Sequence, residues 1–88
     1  MLTLTDYYAD WCGPCVAMKP ILDKILKEYD GKVVLEKIDV DQNQAKAAEV
    51  GVMGIPTLVM SKDGVEVDRK VGLVPESVLK QWIDSNLG

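Results

Sequence analysis

Apolar and polar residues recur with two different periods along this chain, and the changes of period mark out its elements. Leu2 to Ala9 is rich in Leu, Thr and Tyr, residue types that suit a pleated, half-buried surface, so the first element reads as a strand. It runs directly into Trp11-Cys12-Gly13-Pro14-Cys15, where a helix begins. Met18, Leu22, Ile25, Leu26 and Tyr29 then recur at helical spacing, with Lys19, Asp23, Lys24, Lys27 and Glu28 on the opposite side. This helix ends before Gly31. Pro20 lies within it, where a missing N–H and a ring that clashes with the preceding turn predict a kink.

Val33 to Val40 reads as a second strand, and Gln44 to Val50 as a short, mostly polar helix with a solvated face, stopped by Gly51. A strand-helix-strand order makes the first two strands parallel. Thr57 to Met60 and Val65 to Val71 flank Ser61-Lys62-Asp63-Gly64, whose Asp-Gly step signals a hairpin and hence an antiparallel pair. After Pro75, which suits a first turn, Val78, Leu79, Trp82, Ile83 and Leu87 mark the apolar face of a last helix. The expected architecture is therefore α/β.

Length and composition narrow the possibilities. The chain has 88 residues, enough for one hydrophobic core, so residues 1–88 are expected to form a single domain. Apolar residues make up 48% and charged residues 27%, the balance of a globular protein that folds unaided. The net charge of −4 argues against a nucleic-acid partner, which calls for clustered Lys and Arg. No apolar run approaches the roughly 20 residues that span a bilayer, so no membrane association is expected. The segment Met1 to Asp6 has neither a basic region nor a small-residue cleavage site, which makes a cytoplasmic location the expectation.

The chain has two cysteines and no histidine. Catalysis by a His base, a Ser-His-Asp triad or a Cys-His pair is thereby excluded. A Cys/His zinc site within one chain would lack two ligands, so no metal is expected. What remains is redox chemistry between the cysteines. A Cys-x-x-Cys pair at a helix start sets the first sulfur near unpaired backbone N–H groups and the positive end of the helix dipole, which favours thiolate over thiol. Cys12 is accordingly the candidate nucleophile. Cys15, one turn further in, is close enough to form a disulfide and is the candidate resolving thiol. Gly13 allows another chain to approach closely, and Pro14 fixes the local backbone. Two structural cysteines, or a metal cluster shared between two chains, are the alternatives.

Trp11-Cys12-Gly13-Pro14-Cys15 resembles the active-site motif of the thioredoxin family, and the resemblance extends over about Leu4 to Leu87. Asp6 stands where that family keeps a buried Asp. Lys37, ahead of Asp39-Val40-Asp41-Gln42-Asn43, stands where it keeps the Lys that pairs with that Asp. Gly54-Ile55-Pro56-Thr57 resembles the segment carrying the family's cis-proline, and Pro20, Gly64 and Gly72 fall where thioredoxins have those residue types. The resemblance implies a minimal thioredoxin fold in the order β-α-β-α-β-β-α, with a four-stranded mixed sheet, about three helices, and the strands arranged second, first, third, fourth. The family's usual N-terminal strand and helix have no counterpart here, which leaves Val33 to Val40 as a sheet edge.

The implied activity is thiol–disulfide exchange, specifically protein-disulfide reduction through a redox-active Cys12–Cys15 disulfide, with no bound cofactor. Disulfide-containing target proteins and a thioredoxin-reductase-type electron donor are the implied partners, and a monomer is expected. An acid within an apolar central strand should have a raised pKa, so Asp6 is a candidate proton acceptor for Cys15, tuned by Lys37. Trp11, Gly13, Pro14, Gly54, Ile55, Pro56, Gly72 and Leu73 are candidate target-binding residues; if the Ile55–Pro56 bond is cis, the Ile55 backbone is presented to an extended segment. Pro14 inside the motif resembles the reducing members of the family. An oxidase or isomerase on the same fold, and an interaction module using the open edge, are the rival functions.

Overall fold

The computed structural model describes residues 1–87. Its elements follow the order β1 (Leu2–Tyr8), α1 (Gly13–Glu28), β2 (Val33–Asp39), α2 (Gln44–Val50), β3 (Thr57–Lys62), β4 (Val65–Val71) and α3 (Glu76–Asn86). The strands form one mixed sheet in the order β2-β1-β3-β4, as the resemblance implies. β1 pairs parallel with β2 and antiparallel with β3, and β3 pairs antiparallel with β4. The hairpin between β3 and β4 turns through Asp63 and Gly64, both at positive φ (52° and 85°), the conformation that an Asp-Gly step favours.

The two faces of the sheet are covered differently. On one, Leu2, Leu4, Leu58 and Met60 pack with Met18, Leu22 and Ile25 of α1 and with Leu79, Trp82 and Ile83 of α3. On the other, Tyr7 and Val59 pack with Ala47 and the half-buried Ile38, Val40, Val50 and Val52. Tyr29 donates to Asp84 (2.7 Å), and the Lys80 ammonium lies 2.9 Å from Glu28, which ties α1 to α3 at their solvent edge. α1 continues through Pro20. Gly51 closes α2 in the left-handed conformation, φ 77°, as its position predicts.

Two assignments to apolar faces are corrected. Leu26 and Val78 are exposed, because the buried stripes of α1 and α3 are narrower than the periodicity suggested. Each adjoins a core residue in sequence, Ile25 or Leu79, and a step of one residue turns the side chain about 100° away from it. The polar helix α2 also departs from a purely solvated face, since Ala47 is buried against the sheet.

Leu58 is fully buried at the centre of the larger cluster. Leu58→Ala should destabilise the protein by about 2–5 kcal/mol through lost burial and a residual cavity, measured as a lower urea midpoint with an unchanged slope.

Candidate active site

The ends of three strands meet at one end of the sheet. β1 and β2 both run toward it, being parallel, while the antiparallel β3 starts there, so the connections β1–α1, β2–α2 and α2–β3 lie side by side. In open α/β sheets such a crevice beyond the carboxyl ends of parallel strands is where ligands bind.

Cys12 is the N-cap of α1, and Cys12 and Cys15 are joined as a disulfide across a Cα–Cα distance of 5.2 Å. The backbone N–H of Cys15 donates to Cys12 Sγ at 3.3 Å. Helix N–H groups and dipole are thus aimed at the sulfur that would carry charge in the reduced state. Cys12 Sγ also lies 3.8 Å from the carbonyl oxygen of Ile55. Gly13 and Pro14 are exposed beside it, and Cys15 faces inward. The Ile55–Pro56 peptide is cis. Thr57 Oγ1 donates to the carbonyl of Gly54, and the Gly72 N–H donates to the carbonyl of Pro56 at 2.7 Å, which fastens the proline segment from both sides. Gly72 adopts φ 94°, a conformation that side-chain-bearing residues rarely take.

Asp6 lies behind the disulfide. It is 3% exposed, and its Oδ1 has no hydrogen-bond partner among the described residues. Burial pushes its pKa from 3.8 to about 6, with the Lys37 ammonium opposing the rise. Lys37 is its partner in the parallel register, so the two side chains share one face of the sheet. Asp6, Cys15 and Lys37, with Tyr8, Asp10 and Lys19, line a recess of about 120 Å³.

On the other side of Cys12, Trp11, Val40, Ala47, Val52, Met53, Gly54 and Ile55 line an apolar groove of about 220 Å³. Trp11 is 71% exposed and is held upright: its Nε1–H donates to Asp41 Oδ2 at 2.7 Å. Asp41 is itself placed by an Asp39–Asn43 turn, its N–H donating to Asp39 Oδ1 (2.9 Å) while Asn43 Nδ2 donates to the Asp39 carbonyl (3.0 Å). Arg69 on β4 fixes the far wall. Its guanidinium pairs with both Glu66 oxygens at 2.7 Å and donates to the carbonyls of Val50 (3.0 Å) and Gly51 (3.4 Å) at the end of α2.

The structure therefore brings Trp11, Gly13, Pro14, Gly54, Ile55 and Pro56 together around Cys12, and Asp6 with Lys37 around Cys15. Gly72 and Leu73 lie outside the groove lining and reach the site through the Gly72–Pro56 hydrogen bond. Asp41, Arg69, Ala47, Val52 and Met53 were not singled out from sequence. For Val52 and Met53 a signal existed, an apolar pair in a loop with no element to bury it; for Arg69 there was none. Among the described residues, no group of His, Cys, Asp or Glu is arranged to hold a metal ion.

The family model described as Thioredoxin matches residues 1–85. A thioredoxin from Staphylococcus haemolyticus is 45% identical over 84 residues, which cover 96% of this chain and 81% of that protein. One from Staphylococcus aureus is 44% identical over the same shares of each chain. The solved structure of a mutant thioredoxin from Halobacterium salinarum superposes with a TM-score of 0.92 at 44% identity, over 99% of this chain and 75% of that one.

Asp6 makes stability depend on pH. Its carboxyl is neutral in both folded and unfolded chains well below pH 3.8, ionises first in the unfolded chain as pH rises past 3.8, and above about pH 6 must be held charged in a buried position by the folded state. The contribution present at low pH is lost as pH rises through 6, to a limit on the order of 3 kcal/mol. Urea denaturation of the oxidised protein at pH 4.5 and 7.5 should show Asp6→Asn gaining stability relative to the parent at the higher pH, and an equal difference at both values would contradict this account.

Proposed function

The chain belongs to the thioredoxin family and is a thiol–disulfide oxidoreductase, and on that premise we propose that it works as a protein-disulfide reductase in which Cys12 attacks and Cys15 resolves. One observation carries the assignment of roles: Cys12 caps α1 beside the Ile55 backbone and the apolar groove, while Cys15 faces the recess that holds Asp6.

In the reduced enzyme the Cys12 thiolate attacks one sulfur of a target disulfide. That bond breaks, the leaving sulfur departs as thiolate, and a mixed disulfide forms. The Cys15 thiol then gives its proton to the Asp6 carboxylate, directly or through one water, and attacks Cys12 Sγ. The target leaves as a dithiol, two electrons richer, and the Cys12–Cys15 disulfide closes. A carboxyl of pKa about 6 suits this task, because it is largely ionised at neutral pH yet a better base than an ordinary Asp. Lys37, across the parallel pair, limits how far burial raises that pKa. The substrate's extended backbone pairs with the N–H and C=O of Ile55, and an apolar residue of the target docks in the groove between Trp11 and Met53.

A thioredoxin-reductase-type donor returns the electrons, and no bound cofactor takes part. We place the protein in the cytoplasm as a single-domain monomer, with no nucleic-acid or membrane partner. No helix among the described residues is long and apolar enough to cross a membrane. The direction of exchange rests on Pro14 within the motif, and a reduction potential more reducing than the glutathione pool is the expected measurement.

Cys15→Ser should accumulate a covalent complex with a disulfide-bonded protein substrate, seen on non-reducing gels and dispersed by dithiothreitol, whereas Cys12→Ser should form none. Capture by the Cys12 variant, or by neither, would reverse or remove the assigned roles. Asp6→Asn should slow release of the mixed disulfide by tenfold or more, on the order of a lost general base, with little change in KM.

A further inference from the structure

Met53 is the most exposed large apolar residue described, at 99%, and it stands on the wall of the groove beside Cys12. The other methionines are placed differently. Met18 and Met60 are fully buried in the main core, and Met1 lies in a separate recess with Lys32, Lys62 and Leu87. Met53 is thus the only one of the four methionines whose sulfur combines open access with a place in the groove. The loop that carries it is anchored from both directions, by Arg69 on the carbonyls of Val50 and Gly51 and by Thr57 on that of Gly54. It projects from a fixed base rather than folding into the protein.

We propose that Met53 is an oxidative modification site that controls target docking: peroxide converts its thioether to the sulfoxide, and the oxidised side chain weakens binding of apolar target segments in the groove. The inference rests on the groove being the docking surface proposed above. In the reaction a lone pair of the Met53 sulfur attacks one peroxide oxygen and the O–O bond breaks. The departing hydroxide takes the proton of the transferred OH and leaves as water; sulfur is oxidised by two electrons and the peroxide is reduced. Core methionines resist, because their sulfurs have no open side for the oxidant.

The consequence follows from polarity. A thioether is a soft, flexible apolar contact that adapts to varied partners. A sulfoxide oxygen is a strong hydrogen-bond acceptor, and an apolar target residue seated against it would strip its water without replacing the bond. Among the side chains of the lining, the one N–H, that of Trp11, is already given to Asp41. Cys12, Cys15 and Asp6 lie outside this change, so the chemistry of the dithiol is untouched.

The experiment exposes the oxidised protein, whose cysteines are protected as the disulfide, to hydrogen peroxide. Peptide mapping by mass should find the sulfoxide of Met53 forming well before any at Met18 or Met60. After reduction by dithiothreitol and desalting, KM for insulin should rise about five- to tenfold, while the rate with bis(2-hydroxyethyl) disulfide, too small and polar to use the groove, stays the same. Met53→Leu should show no peroxide-dependent change in KM, and Met53→Gln should behave without peroxide much as the oxidised parent does. Modification of Met18 or Met60 ahead of Met53, or an unchanged KM after complete oxidation of Met53, overturns the proposal. Trp11→Ala separates the two levels of the argument: a raised KM for insulin in that variant, with none on Met53 oxidation, sinks the present inference alone, whereas an unchanged KM in both removes the groove as a docking surface.

Discussion

The site depends on one constraint, the position of β1 between β2 and β3. A central strand cannot expose either face, so its alternate residues are committed to one packed layer or the other. Leu2, Leu4 and Asp6 therefore point toward α1 and α3, and the first two help to build the core there. The same pairing carries the chain out of the sheet at Tyr8, where the Val40 N–H still donates to the Tyr8 carbonyl at 2.9 Å. It leaves only a short turn before α1, and the Ala9 carbonyl accepts from the Cys12 N–H at 3.2 Å. The disulfide sits where it does because the central strand ends there.

That geometry sets a cost against a use. Asp6 occupies a position where Leu or Val would bury apolar surface and form no charge, and its Oδ1 is left without a partner among the described residues. Natural folds tolerate such a group when the surroundings are stable enough to hold it, and the adjoining layer of Leu4, Met18, Leu58 and Met60 supplies that margin. Lys37 moderates the cost without abolishing it. A fully neutralising partner within hydrogen-bond distance would return the carboxyl to an ordinary pKa and to a weak base, so a cation acting at longer range serves the proposed chemistry better.

What could be read from the sequence follows the range of the interaction that decides it. The elements, the hairpin turn and the end of α2 are set by local periodicity and by Asp and Gly conformations, and they emerged at nearly the observed boundaries. The pairing of Asp6 with Lys37 came from the family resemblance, and the parallel register of β1 and β2 is its physical basis. Residues that join different elements were not legible. Trp11 holds Asp41 across thirty positions and Arg69 reaches back to Val50, and no periodicity encodes either link. Leu26 and Val78 show the converse limit, since an apolar residue beside a core position scores as part of the stripe although it faces water.

These two kinds of residue correspond to two functions. The groups that would handle electrons and protons, Cys12, Cys15, Asp6 and Lys37, stand on regular elements or their caps, where the backbone hydrogen-bond pattern sets their positions. The groove owes Trp11, Val40, Val52, Met53, Gly54 and Ile55 to connecting segments, held by side-chain bonds from Asp41, Arg69 and Thr57. A disulfide presents the same two sulfurs whatever protein carries it, so the chemistry gains from rigidity. The surroundings of that disulfide differ with every target, and under the proposed docking mode a loop surface with one freely exposed methionine would accommodate them at little cost to the framework beneath. On that proposal, choice of target would change through the loops while β1 continues to hold the dithiol in place.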